Sequence, residues 1–241
     1  MIDRESPVPI YYQIEEYIKN LIDNEELTPG DAIPSEREFS EQFSVSRMTI
    51  RQAIINLVNE GYLYRQKGRG TFVGEKKIEQ TLQGLTSFTE DMEKRGMKPG
   101  SKLLKFELIP ASRSISNKLL INEHDPLYEI KRIRFADDLP MAIETTYIPA
   151  NLVKGLTEDI VNRSLYSYIE NELGLQIDAA KQIIESSIAR ADEAKDLGIN
   201  KNAPILYIRR QTKLTNGQPL ELVKSVYRAD RYKFVINMKR N

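Results

Sequence analysis

Two helix start signals, Ser35 and Ser46, stand only eleven residues apart, and this spacing leaves room for little except a short helix, a tight turn and a second helix. The stretch PSEREFSEQF opens with Ser35 and carries Glu38 three residues on. That is a capping box, in which hydroxyl and carboxylate each satisfy a free backbone N–H at the helix start. Phe39 and Phe43, one turn apart, give the helix its apolar side. SVSR then interrupts the pattern. Ser46 caps a third helix whose apolar stripe is Ile50, Ala53, Ile54, Leu57 and Val58, and Gly61 is its left-handed stop.

Upstream, Pro7 and Pro9 mark the start of a first helix with Ile10, Ile14, Tyr17, Ile18, Leu21 and Ile22 at helical spacing, closed by Pro29-Gly30. Downstream, YLYRQ and TFV read as short strands joined by the flexible turn KGRG. A helix-turn-helix followed by a hairpin is a winged helix.

Charge sharpens this reading. Lys+Arg and Asp+Glu are both 35, so the whole chain does not advertise a nucleic-acid binder. Yet residues 44–70 hold Arg47, Arg51, Arg65, Lys67 and Arg69 against Glu60 alone. Arg47 and Arg51 lie one turn apart, with Gln52 beside Arg51 and with Ser46 and Thr49 in the first turn. Arginine grips guanine edges or phosphate with two parallel bonds, and glutamine suits adenine. Simple solvation explains one such arginine more easily than it explains the whole constellation.

At 241 residues the chain suits two domains better than one. Residues 74–83 are polar and read as a linker between a unit at 1–73 and one at 84–241. The second unit holds strand patterns at 102–109, 127–136, 140–148, 181–189, 204–214 and 219–229, with short helices near 88–95, 114–120, 164–173 and 192–197. Asn216-Gly217 signals a hairpin. The expected class is α+β, with an antiparallel sheet in the second unit.

Cysteine is absent and His124 is the one histidine, which excludes disulfides, thiolate metal sites, multi-histidine metal centres and cysteine nucleophiles. No metal and no cofactor is expected. No apolar run reaches the length of a membrane span, and MIDRESPVPIYY lacks a signal-peptide pattern, so a cytoplasmic protein is expected. In the second unit, Tyr128, Ile130, Arg132 and Arg134 share one strand face, which sets two guanidiniums about 7 Å apart. Such a pair repels itself unless an anion or carboxylate intervenes, and Glu144 on the facing strand is a candidate. A salt-bridged strand surface would look the same. Ser164 and Tyr166 in SLYSY, and Ser87, Phe88 and Thr89 in LTSFTED, lead into helices and offer hydroxyls.

The string PSEREFSEQFSVSRMTIRQAIINLVNEGYLYRQKGRGTFV resembles the winged-helix domain of GntR-type bacterial transcription regulators. LTSFTEDMEKRGMKPGS, IKRIRFADDLPMAIETTYIP and LELVKSVYRADRYKF resemble the effector-binding UTRA domain of the HutC branch, nearest to repressors of N-acetylglucosamine utilisation. The resemblance implies Arg47, Thr49, Arg51 and Gln52 at the major groove, Ser35 and Arg37 holding phosphate, and Lys67, Gly68, Arg69 and Gly70 at the wing tip, and Ser46 at the start of the third helix joins the expected DNA-binding residues. It implies an effector phosphate surrounded by Ser87, Phe88, Thr89, Arg132, Arg134, Ser164 and Tyr166, with Glu144 and Tyr227 facing a sugar. Tyr147 is a departure at the sugar contact, where close relatives carry histidine.

The expected partners are a near-palindromic double-stranded operator, a second copy of the chain and a sugar phosphate. N-acetylglucosamine 6-phosphate and glucosamine 6-phosphate are the first candidates, and another anionic metabolite, such as trehalose 6-phosphate, is the alternative. The second unit's implied fold also resembles chorismate lyase. However, no Ser/His/Asp set or phosphate-cradling loop beyond KGRG accompanies it, so a regulator rather than an enzyme is expected.

Overall fold

The computed structural model describes residues 2–66, 68–74, 77–82 and 84–240. The chain divides into two compact units, residues 1–79 and 80–241.

In the first unit, α1 (Ile10–Asp23) sets Ile14, Ile18 and Ile22 against Ile50, Ala53, Ile54 and Leu57 of α3 (Arg47–Glu60). Burying each such side chain contributes about 1.5–3 kcal/mol. Helix α1 ends at Asp23, ahead of the expected stop. Pro29-Gly30 instead enters a short extended segment, where Ala32 bridges Phe72 and Ile33 N–H donates to Thr71 O.

Helix α2 (Glu36–Phe43) begins at the capping box: Ser35 Oγ accepts from Glu38 N–H, and Ser35 N–H donates to Glu38 Oε2 at 2.7 Å. Phe39 and Phe43 stack at 5.7 Å. Ser46 caps α3 by accepting from Thr49 N–H, and Gly61 closes it at φ 83°. Strands β1 (Leu63–Gln66) and β2 (Gly70–Val73) form the antiparallel hairpin, with Leu63 and Val73 buried in the same core. The segment expected to be linker contains a strand, β3 (Ile78–Thr81), which pairs with β10 (Tyr232–Val235).

The second unit is a six-stranded, wholly antiparallel sheet in the order β4-β5-β6-β9-β8-β7. The strands are β4 (Pro99–Pro110), β5 (Pro126–Ala136), β6 (Leu139–Pro149), β7 (Ile177–Ile188), β8 (Pro204–Leu214) and β9 (Pro219–Arg228); β10 is Tyr232–Val235. The β8–β9 turn contains Gly217 at φ 81°. Helices α5 (Arg113–Leu119) and α8 (Ala191–Leu197) bring apolar residues to one face, with Ile133, Ile143, Leu127 and Val226 on the sheet side. The other face packs Ile130 and Ile148 under α6 (Glu158–Asn162), α7 (Leu165–Ser167) and the wide helical turn Tyr168–Glu172 that follows. Beside that apolar cluster, in line with α4 (Phe88–Lys94), the same face turns polar.

Candidate nucleic-acid interface and effector pocket

The first unit exposes a connected basic surface. Arg47, Arg51 and Gln52 are exposed on the first two turns of α3, and Arg37 is exposed on α2. Ser46 Oγ and Thr49 Oγ1 lie 2.8 Å apart at the start of α3. Gly68, Arg69 and Gly70 form the exposed tip of the hairpin, with Arg69 N–H donating to Gln66 O. Lys67 lies outside the described residues.

One residue here escaped sequence reasoning. Glu36 accepts from Arg51 Nε at 3.4 Å and from Arg65 Nη2 at 3.0 Å, tying α2, α3 and β1 together through their charged groups. Glu36 is part of the helix-start pattern and signals nothing more by itself. Only the fold brings Arg65 to it.

The second unit holds a small pocket on the polar part of the sheet. Strand alternation builds its floor. Arg132 and Arg134 of β5, Glu144 and Thr146 of β6, Val223 of β9 and Arg210 of β8 all point to this face, and Glu221 joins them. Ser87, Phe88 and Thr89 come from the start of α4, and Ser164, Leu165 and Tyr166 from the start of α7. Ser87 and Ser164 are the two N-caps.

Arg132 pairs with the directly opposite Glu144, and its other terminal nitrogen donates to Val161 O. Arg134 is 4% exposed, yet its Nη2 donates only to a neutral group, Thr89 Oγ1, at 2.9 Å, and its guanidinium lies 4.8 Å from the Phe88 ring centre. Burial, and then the charge of Arg132, lower its pKa to about 10. The Nε–H groups of Arg132, Arg134 and Arg210 are buried without a hydrogen-bond partner.

Tyr166 O–H donates to Glu221 at 2.6 Å and Thr212 O–H donates to the same carboxylate at 2.8 Å, while Arg210 stands 3.8 Å from it. Burial and the Glu221 charge hold the Tyr166 hydroxyl protonated well above its ordinary range. Three arginines therefore face two glutamates, a surplus of positive charge.

A second pocket adjoins the first and shares Phe88, Glu144, Arg210 and Val223 with it. Tyr227 lines this second space, packed edge-on against Tyr232 at 4.7 Å between ring centres. Burial and then Glu144 push its pKa up to about 12. Sequence reasoning missed Arg210 and Glu221. The parity of β8 held the signal, because Arg210 shares its face with Ile208 and Leu214, both buried.

Tyr147 requires a correction. It was expected at the sugar contact, but an odd separation from Glu144 on β6 turns it to the opposite face. There its hydroxyl donates to Glu129 at 3.1 Å and Lys224 lies 5.4 Å from its ring centre. His124 is exposed in the turn before β5, at φ 71°. Among the described residues no acidic or histidine cluster has metal-ligand geometry, and no helix is long and apolar enough to cross a membrane.

Comparison with known proteins agrees with this two-part layout. Residues 10–73 match the description "Bacterial regulatory proteins, gntR family", and residues 94–233 match the UTRA domain. The chain is 52% identical to the HTH-type transcriptional repressor NagR of Bacillus subtilis, over 99% of this chain and 98% of that one. It is 34% identical to the mannosyl-D-glycerate transport/metabolism system repressor MngR of Escherichia coli, over 96% and 97%. The crystal structure of PhnF from Mycobacterium smegmatis superposes with a TM-score of 0.64 at 27% identity, covering 96% of this chain and 99% of that one. With a capped helix-turn-helix and basic wing in one unit and a UTRA sheet in the other, the chain belongs to the gntR family of bacterial regulatory proteins.

Proposed function

We propose that the chain is a cytoplasmic, non-enzymatic repressor of amino-sugar utilisation genes. In this reading α3 and the wing hold operator DNA until a sugar phosphate fills the pocket of the second unit. The single observation carrying the effector class is the excess of buried guanidinium over carboxylate, with no ion-paired carboxylate on Arg134 among the described residues. A phosphate would accept from Arg134 and from the unpartnered Nε–H groups, and the adjoining space beside Glu144 and Tyr227 suits the hydroxyls of a sugar ring. The 52% identity with NagR, itself named a repressor, supports both the repressor reading and an amino-sugar phosphate as the first effector to test.

The DNA contacts are those of Ser35, Arg37, Ser46, Arg47, Thr49, Arg51, Gln52, Lys67, Gly68, Arg69 and Gly70. Two copies of the chain would place two such surfaces on a near-palindromic site. Release requires only that the effector bind one arrangement of the dimer better than the arrangement that fits the operator.

The test follows anisotropy of a labelled promoter fragment with the full chain. N-acetylglucosamine 6-phosphate or glucosamine 6-phosphate should weaken binding about tenfold or more, within the usual range of coupling energies. Unphosphorylated sugar and inorganic phosphate should not. Release by trehalose 6-phosphate alone would change the effector. Failure to bind any promoter fragment at low salt would end the reading.

A further inference from the structure

Gln52 lies one turn from Asn56 on α3, and Asn56 reaches across to Glu15 on α1. Gln52 Nε2 donates to Asn56 Oδ1 at 2.9 Å, and Asn56 Nδ2 donates to Glu15 Oε1 at 2.6 Å. Glu15 is buried, at 3% exposure, Asn56 is half-buried and Gln52 is exposed. The three side chains make a polar line from the interior to the outer face of α3.

The direction of this line follows from the chemistry of Glu15. A carboxylate only accepts, so Asn56 must turn its NH₂ toward it. That leaves the Asn56 carbonyl for Gln52, which must answer with its own NH₂. The outward edge of Gln52 is then its carbonyl oxygen beside its second amide hydrogen. In the major groove adenine offers a donor beside an acceptor, whereas guanine offers two acceptors.

We infer that Glu15 and Asn56 are positioning residues that set the polarity of the Gln52 amide, so that α3 selects adenine over guanine at one position of each operator half-site. This rests on the reading that α3 enters the major groove. Neither positioning residue touches DNA. Without them the Gln52 amide is free to reverse, and its discrimination falls.

The test selects duplexes from a randomised pool with the full-length wild-type chain and with Gln52→Ala, Asn56→Ala and Glu15→Gln, each checked by thermal melting. Gln52→Ala should erase the preference at one column of the selected half-site. Asn56→Ala and Glu15→Gln should lower the adenine-over-guanine ratio at that same column by roughly tenfold, while other columns and binding to unrelated duplex stay unchanged. Asn56 is at a half-buried helical position, so its variant carries the test if Glu15→Gln does not fold.

Preference retained at that column by Asn56→Ala, while Gln52→Ala loses it, would overturn the relay. No change at any column in Gln52→Ala would overturn it too. If the wild type enriched no sequence, the DNA-reading assignment itself would fail, an outcome distinct from failure of the relay.

Discussion

Arg132 and Glu144 stand directly opposite each other on β5 and β6 and form an ion pair that is almost fully closed to solvent. The pair divides the labour of the two neighbouring arginines. Arg132 is neutralised by Glu144 and anchored on Val161 O. Arg134, two residues on and on the same face, donates to Thr89 and lies against the Phe88 ring, and among the described residues no carboxylate forms an ion pair with it. Arg134 is therefore the guanidinium without a paired carboxylate among the described residues, whereas Arg132 holds the floor of the pocket together.

Replacing Arg134 should separate binding from stability. Its charge is unfavourable where it sits, as the lowered pKa of about 10 indicates, so Arg134→Gln should melt at or above the wild-type temperature without ligand. Losing charged hydrogen bonds to a phosphate costs about 1.5–3 kcal/mol, or roughly 10- to 100-fold in affinity. Thermal shift with hexose phosphates measures both. Equal ligand-induced stabilisation of wild type and variant would remove Arg134 from the site.

Glu144 gives the second unit a defined acid sensitivity. Burial pushes its pKa up, but Arg132, Arg134 and Arg210 together bring it down to about 2, against an ordinary value of 4.5. A depressed folded-state pKa means that the ionised carboxylate contributes its full stability above pH 4.5, and that this contribution disappears as pH falls from 4.5 toward 2. Denaturation of wild type and Glu144→Gln across this window should show the wild-type advantage shrinking with acid. An advantage independent of pH would assign the role to packing.

Arg51→Ala should nearly abolish operator binding and leave the fold intact. The Arg51–Glu36 pair is half in solvent, and pairs of that kind contribute about 0–1 kcal/mol to stability. Anisotropy at two salt concentrations, beside a melting curve, separates the effects. Survival of operator affinity within roughly threefold, under about 0.7 kcal/mol, would displace Arg51 from the groove.

Gly74 has no room for a side chain. A Cβ there would sit 2.7 Å from the carbonyl oxygen of Gly61, which is backbone and cannot swing aside. Gly74→Ala should cost the winged unit about 1–3 kcal/mol by overpacking. It should also loosen the Gly74 N–H to Tyr62 O bond that ties β2 to the end of α3. Hydrogen exchange at residues 62–74 reports it, and unchanged protection would contradict the expectation.

The local elements of this protein could be read from its residues because their causes are local. Ser35 with Glu38, Ser46 with Thr49, and Gly61 act within one helical turn, and each does in the structure what its spacing implies. Strand parity is local too. It set Arg132 beside Arg134 on one face, and applied to β6 it would also have turned Tyr147 away from Glu144. Register is different, because it depends on where distant strands meet. Arg210 and Glu221 enter the pocket only through the β6-β9-β8 pairing, and Glu36 meets Arg65 only when the hairpin folds back on α2. The sequence by itself determined the capped helix-turn-helix, the basic winged unit and the alternating faces of the second sheet, but not the short helix Glu158–Asn162 or the strand Ile78–Thr81. Tertiary structure alone decided which buried charges are paired and which are not, because ion pairing requires a few ångströms of proximity between residues far apart along the chain.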